Sequence, residues 1–123
     1  MIMICQNMCI LQGRLGSKPE QASVGEATVH KMSLAIDSPR RDKDGNWESN
    51  TSWAECEYWE NSQSAMGDKI RKLEKGQVVV VHSQFRAVKK EKDGVNRTFV
   101  SFRINNLFSD FGQPNSDTKP EFD

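Results

Sequence analysis

The stretch that decides the fold is Thr51 to Glu60, TSWAECEYWE, because its residues fall into two kinds by strict alternation. Successive side chains of a strand point to opposite faces. One face would carry Ser52, Ala54, Cys56 and Tyr58, and the other Trp53, Glu55, Glu57 and Trp59. Ionised carboxylates are almost never buried without partners, so we expect the tryptophan face to be solvated. Flat rings on such a face are typical of stacking platforms for single-stranded nucleic acid, although a subunit interface or a covering loop would also explain them.

The length of the chain bears on the number of domains, and its charge bears on the kind of partner. From 123 residues we expect a single core and no second, catalytic domain. The net charge is zero, which by itself argues against a polyanion partner. Residues 110–123, however, hold four acids and one lysine, which leaves 16 basic and 13 acidic side chains in residues 1–109. Local clustering of the basic side chains therefore decides whether a nucleic acid is a plausible partner.

The cysteines indicate neither a disulfide framework nor a metal site. Cys5, Cys9 and Cys56 are odd in number and are accompanied by no CxxC motif and no pair of histidines at ligand spacing. We expect reduced thiols in a cytoplasmic protein without a cofactor, with Cys56 in the core. No secretory signal pattern and no apolar run of membrane-spanning length is present, so no membrane partner is expected.

Alternation and turn residues predict five strands and one helix. The strands are expected at Cys9–Leu15, Ala27–Ile36, Thr51–Glu60, Gln77–Arg86 and Thr98–Ile104, with residues 17–26 and 37–50 as connections. The helix follows the third strand, is capped within residues 61–64, and should end with Gly76 at the C′ position. Five strands with a helix between the third and the fourth is the connectivity of the oligonucleotide-binding barrel, an all-β fold.

Side-chain directions follow from the same patterns. In the last strand Val100, Phe102 and Ile104 should point inward, and Phe99 and Arg103 outward. His30 lies on the apolar side of the second strand, where a structural role is expected, and the sequence shows no partner for it. From residue 110 onward the polar composition predicts a disordered acidic tail, so the folded domain is expected to span residues 1–109.

Basic residues cluster with aromatic ones in two turn regions, around Asp44-Gly45 and Asp93-Gly94. Such a mixture suits a strand of phosphates and bases, whereas a solvated hairpin is the ordinary explanation for charge alone. The candidate DNA-binding residues are Trp53 and Trp59 together with Arg40, Arg41, Trp47, Arg86, Lys89, Lys90, Lys92, Arg97, Phe99 and Arg103.

Five short motifs resemble the bacterial and phage single-stranded DNA-binding proteins, in the same order and at similar spacing. They are GRLGSKPE (13–20), SLAID (33–37), DGNWESNTSW (44–53), KLEKGQVVVV (72–81) and DGVNR (93–97). The resemblance implies an oligonucleotide-binding barrel that forms a homotetramer or homodimer and coats single-stranded DNA during replication, recombination and repair. It also implies that Trp53 and Trp59 are stacking residues, that residues 89–97 form a DNA-wrapping hairpin, and that the tail could recruit replication or recombination proteins.

The chain departs from that family where charge replaces aromatic rings. Pro39 and Arg40 stand where the family commonly has an aromatic residue in the loop between its second and third strands, and Lys89 and Lys90 where the last hairpin often has one. Glu55 and Glu57 should weaken the attraction to phosphate or require a basic partner nearby. The acidic tail ends in DTKPEFD, which only partly matches the family's tail.

Three functions remain open at this point. The first is a sequence-tolerant coat protein for single-stranded DNA, and the second is an accessory protein of the same fold that binds single strands but recruits no partners through a tail. The third is a structural interaction domain in which Trp53 and Trp59 form a subunit contact. An enzyme is not expected, because no paired carboxylates in an apolar setting, no nucleophile with a histidine and no phosphate-binding glycine loop are present.

Overall fold

The computed structural model describes residues 4–109, which form a closed five-stranded barrel with one short helix. The elements are β1 (Cys9–Leu15), β2 (Glu20–Val24), β3 (Ala27–Arg41), β4 (Trp47–Glu60), α1 (Ala65–Arg71), β5 (Val78–Lys92) and β6 (Val95–Phe108). β1 pairs with β5 and, through Arg14 and Leu15, also with β3. β4 and β6 pair in parallel at Cys56 and Phe102. These pairings close the ring β1-β5-β6-β4-β3, which confirms the predicted barrel.

The core fills the inside of the ring, and α1 closes one end of it. Leu34 of β3 and Val79 of β5 are fully buried, and Ile70 of α1 and Leu73 just beyond it pack into the same cluster. The side chain of Ser64 caps α1 by accepting a hydrogen bond from the backbone N–H of Gly67 at 3.0 Å. At seven residues, α1 is far too short to cross a membrane, and residues 4–109 contain no other helix.

The predicted end of the helix is wrong. α1 ends at Arg71 and Lys72 is its C-cap, so Gly76 lies beyond the C′ position. Beyond Arg71 the chain tightens into a turn in which the N–H of Leu73 donates to the carbonyl oxygen of Ile70, and the side chain of Leu73 lies in the core. Gly76 instead serves the following turn: its φ of +85° suits glycine, and its N–H donates to the carbonyl oxygen of Leu15 at 2.8 Å.

Two segments predicted as connections contain strands. Within residues 17–26, β2 pairs with β3 in a hairpin that turns at Gly25. Within residues 37–50, β3 and β4 continue to pair as far as Arg41 and Trp47, and the carboxylate of Asp42 closes the turn by accepting from two backbone N–H groups. Both segments extend into solvent, so neither face is apolar, and the alternation that identifies a strand is absent.

The hairpin tip predicted at Asp93-Gly94 is confirmed, since both residues have positive φ and join β5 to β6. The predicted inward direction of Val100 is wrong, because its side chain is 46% exposed. Phe102 is partly buried against the core and Ile104 is fully inside it. The barrel ends near Phe102, and from there β5 and β6 continue as a two-stranded ribbon that is exposed on both sides.

Within the barrel, the side chains of β4 alternate as predicted: Ala54 and Cys56 are buried, while Trp53 is 59% exposed. Burial, followed by the charge of Glu55, raises the pKa of the Cys56 thiol to about 12, so Cys56 is a neutral core residue. The alternation also places Glu60 on the inner face, where it is buried.

His30 has the partner that the sequence did not reveal. Its Nε2 lies 3.0 Å from Oε1 of Glu60, and the guanidinium of Arg71 donates to the same oxygen. The other oxygen of Glu60 accepts from the N–H and the hydroxyl of Ser64. His30 is therefore a structural residue, as expected. Around the buried pair of His30 and Glu60, Ser64 is half-buried and Arg71 is partly exposed, and we call these four residues the buried cluster.

Candidate nucleic-acid interface

The outward side chains of β4 lie in the middle of a continuous surface, which the strand register defines. On one side Trp53 is paired with Ala35 of β3, and Ala35 is paired with Arg14 of β1. On the other side Glu57 is paired with Arg103 of β6. Cross-strand partners share a face, so β1, β3, β4, β6 and β5 present one outer face that spans the barrel and continues along the ribbon.

Trp53 is held at one end of its ring and is otherwise free. A Cβ placed on Gly16 would lie 2.5 Å from the indole of Trp53, so only glycine allows the ring to pack there. More than half of the side chain remains exposed. Gly16 and Arg14 are thus part of the surroundings of Trp53, and sequence reasoning did not identify either as a site residue; the only signal for them is the GRLG motif that contains both.

Trp59 is fixed by two charged neighbours. Its Nε1–H donates to Oε2 of Glu57 at 3.2 Å, and the guanidinium carbon of Arg103 lies 5.2 Å from the ring centroid. A cleft of about 190 Å³ opens beside the ring, with Arg86 and Lys90 among the residues that line it. The cleft combines an aromatic ring, cations and one carboxylate, which suits a base with its phosphate.

The β5–β6 ribbon carries its cations mainly on one side. The register pairs Lys90 with Arg97, Val88 with Phe99 and Arg86 with Ser101, so these side chains share a face. We call this face the outer ribbon face; its basic and aromatic members are Arg86, Lys90, Lys92, Arg97, Phe99 and Arg103. Within residues 4–109, none of its five cations forms an ion pair. Lys90 lies over the ring of Phe99, 5.7 Å from its centroid.

Lys89 does not join this group. It is paired with Thr98 and therefore points to the opposite side of the ribbon. That side also carries the exposed apolar side chains of Phe85 and Val100. The sequence placed Lys89 and Lys90 in one basic cluster, but adjacent residues of a strand face opposite ways. The structure thus separates the two lysines.

The β3–β4 tip is divided in the same manner. Arg41 lies over the ring of Trp47, with its guanidinium carbon 4.7 Å from the centroid, and Trp47 is 66% exposed. Both follow the alternation of Trp53 and belong to the outer face. Arg40 is paired with Glu48 on the other face and forms an ion pair with it at 3.4 Å.

The two glutamates of the outer face are held by neutral groups. Oε1 of Glu55 accepts from the hydroxyl of Ser33 at 2.7 Å, and Glu57 accepts from Trp59. Lys31 is the cross-strand partner of Glu57, but neither carboxylate forms an ion pair with any residue from 4 to 109. Within the same residues, no group of three or more His, Cys, Asp or Glu side chains could hold a metal ion.

Comparisons with known proteins agree on the fold. The profile of the family described as "Single-strand binding protein family" matches residues 6–108. A single-stranded DNA-binding protein of Xylella fastidiosa is 36% identical over 67 residues, which are 54% of this chain and 41% of that protein. A Plasmodium falciparum SSB, solved in complex with ssDNA, superposes with a TM-score of 0.75 at 24% identity and covers 88% of this chain and 97% of its own. A deletion mutant of the Thermus aquaticus single-stranded DNA binding protein gives 0.69 at 20% identity, with 84% and 49% covered.

Proposed function

The chain belongs to the single-strand binding protein family, and from this membership we propose that it binds and protects single-stranded DNA. Binding is sequence-tolerant and serves replication, recombination and repair. The aligned region spans less than half of the Xylella relative, so the function proposed is that of the barrel and its ribbon.

The observation that carries the proposal is that stacking rings and unpaired cations share one face. Trp53 and Trp59 offer rings on which bases can stack, and stacking tolerates every base. The outer ribbon face adds five cations with no ion pair in residues 4–109, and these can release counterions when they contact phosphate. A subunit contact through Trp59 would instead have to desolvate the unpaired cation beside the ring, Arg103.

The candidate residues divide into three roles under this proposal. Trp53, Trp59, Trp47 and Phe99 stack on bases. Arg86, Lys90, Lys92, Arg97 and Arg103 contact phosphates along the ribbon, and Arg41 contributes at the β3–β4 tip. Lys89 and Arg40 lie off this face, so we assign them weaker and more distant contacts.

A fluorescence titration tests the proposal. The full chain is mixed with a thymidine homopolymer at low salt, and intrinsic tryptophan emission is followed together with the anisotropy of a labelled oligomer. Stacking on Trp53 and Trp59 should quench the emission in step with the rise in anisotropy. Binding without quenching would remove the stacking role, and no binding at micromolar protein would contradict the function itself.

We also propose a symmetric homodimer or homotetramer. Family membership supports it, as do the exposed apolar side chains of Met8 and Ile10 around the start of β1. Sedimentation at the concentrations used for DNA binding should show a species larger than the 14.0 kDa chain. A 14.0 kDa species alone would contradict the assembly but leave the binding function intact.

Residues 110–123 lie outside the residues that the structure describes. We propose that they form an acidic tail attached to one domain of residues 1–109 and that the tail could recruit replication or recombination proteins. Its acids can only compete with phosphate for the basic ribbon, so deletion after Ser109 should leave DNA affinity unchanged or slightly raised. Binding to DNA further implies a cytoplasmic, nucleoid-associated protein.

A further inference from the structure

We propose that the cleft beside Trp59 recognises the hydrogen-bonding edge of one base, and that Glu57 with Arg103 makes it favour guanine. This inference rests on the proposed binding of single strands at the outer face. It adds one base-selective position to an interface that is otherwise sequence-tolerant.

The first observation is that Glu57 is oriented but not neutralised. Trp59 donates to Oε2, whereas Oε1 accepts no hydrogen bond from any residue between 4 and 109. A carboxylate has about four lone-pair sites, so Glu57 keeps acceptor capacity on both oxygens. The Trp59 contact fixes the direction of that capacity, since it holds the carboxylate at the wall of the cleft.

The second observation is an unused donor on Arg103, a residue that lines the same cleft. Nε of Arg103 is buried and has no hydrogen-bond partner among residues 4–109. A buried donor that remains unpaired is costly, so an acceptor brought by a ligand would be favoured there. The guanidinium of Arg103 also lies over Trp59, and this contact helps to hold it beside the cleft.

Base chemistry decides which ligand satisfies both groups. The Watson–Crick edge of guanine has two adjacent donors, N1–H and the 2-amino group, next to the acceptor O6. The two donors match the carboxylate of Glu57, and O6 matches Arg103. Thymine offers one donor between two carbonyl oxygens, so a carboxylate that accepts it also faces an oxygen. Adenine and cytosine offer one amino group beside a ring acceptor.

The glutamate would otherwise only hinder binding. An unpaired carboxylate on a face that meets phosphates is repelled by them, and the repulsion does not depend on the base. If Glu57 recognises a base selectively, its replacement should change the affinity by an amount that depends on the base. Electrostatic repulsion alone would change the affinity for all oligomers equally. We expect a guanine contact to be worth roughly fivefold in Kd, the lower end for a well-formed base contact.

The experiment compares three oligomers of equal length at one salt concentration: all thymidine, thymidine with isolated guanosines, and the same with inosines. Inosine keeps N1–H and O6 but lacks the 2-amino group, and isolated guanosines cannot form quadruplexes. The full-length protein is measured with its own sequence, as Glu57→Gln, and as the matched control Glu55→Gln. The control removes the same charge from the same face but lies outside the cleft around Trp59.

The unmodified protein should bind the guanosine oligomer roughly fivefold more tightly than the inosine oligomer. Glu57→Gln should remove this ratio while tightening binding to thymidine, and Glu55→Gln should tighten all three and keep the ratio. Equal binding of guanosine and inosine oligomers, or a ratio that survives in Glu57→Gln, would overturn the inference and leave the proposed function standing. Failure to bind any of the three oligomers would contradict the proposed function.

Discussion

The buried cluster and the outer ribbon face contain similar charged groups in opposite states. In the buried cluster, the carboxylate of Glu60 receives hydrogen bonds from Ser64, Arg71 and His30, and His30 is 0% exposed. On the outer ribbon face four of the cations are exposed and Arg103 is half-buried, and none of the five forms an ion pair in residues 4–109. A charge that stabilises a fold has its partner in the chain, whereas a charge that binds a ligand is left without one.

The buried cluster joins β3, β4 and α1, and it leaves no space for change. A Cβ added to Gly67 would overlap a carboxylate oxygen of Glu60, so the helix can approach β4 only through glycine. The cluster therefore fixes α1 against the end of the barrel. The outer ribbon face contributes no comparable contact to the core, which leaves its side chains available to a ligand.

The largest expected effect is on stability. Glu60→Gln should lower the free energy of unfolding by roughly 3 kcal/mol, the low end for removal of one partner of a buried pair, because Arg71 is partly exposed and can turn to water. Chemical denaturation measures the loss. DNA affinity of the folded variant, measured well below its melting temperature, should be unchanged; a large loss of affinity would mean that the cluster also shapes the binding face.

The buried cluster should also make the stability of the protein depend on pH in the acid range. The hydrogen bond from His30, followed by those from Ser64 and Arg71, lowers the pKa of Glu60 from 4.5 to about 2 in spite of burial. A lowered folded-state pKa means that the stabilisation is complete above pH 4.5 and is lost as the pH falls towards 2. Denaturation between these pH values should show a shallower loss in Glu60→Gln than in the unmodified protein, and parallel losses would contradict the assignment.

Next in size is the loss of a stacking ring from the outer face. Trp53→Ala should weaken binding to a thymidine oligomer by about 1–3 kcal/mol for the base it stacks on. Phosphate contacts remain, so the slope of log affinity against log salt should not change. If Trp53→Ala alters only the sedimentation of the protein and not its affinity for DNA, the ring belongs to a subunit contact.

The sequence predicted the barrel and the outward rings because both depend on strand alternation within one element. Ala54 and Trp53 differ by one position, and their burial follows directly. It could not predict that His30 meets Glu60, since the two side chains lie 30 residues apart and their pairing depends on how β3 aligns with β4. The sequence therefore does not predict the buried cluster, because the contacts between its residues depend on the tertiary fold.

The parts of the hairpins that extend beyond the barrel are the second place where the sequence-based prediction is wrong. β3 continues to Arg41 and β4 begins at Trp47, yet both ends are exposed on both faces and have no buried apolar residues, so their composition predicts a loop. The same lack of a buried face hides Val100, which looks like a core residue by alternation but lies beyond the end of the barrel. Where a strand extends beyond the core, the pattern of apolar residues does not indicate which side chains point inward.

A smaller effect separates the two neighbouring lysines of the ribbon. Lys90→Ala should reduce the salt slope by roughly 0.7, the value for one phosphate contact on a single strand. Lys89→Ala, a matched change of the same charge one residue away, should reduce it less because that side chain faces the other side of the ribbon. Equal reductions would show that DNA wraps both faces.

The smallest effect should come from Arg40, whose charge is paired although it lies on the surface. Its ion pair with Glu48 is exposed, and such pairs contribute about 0.2–1 kcal/mol. Phosphate would have to displace Glu48, and Arg40 lies off the outer face, so Arg40→Ala should leave the salt slope nearly unchanged. Arg41→Ala is the matched control, since its guanidinium covers Trp47 on the outer face and has no acidic partner in residues 4–109. A slope reduced by roughly 0.7 in Arg40→Ala would show that DNA recruits paired charges as readily as unpaired ones.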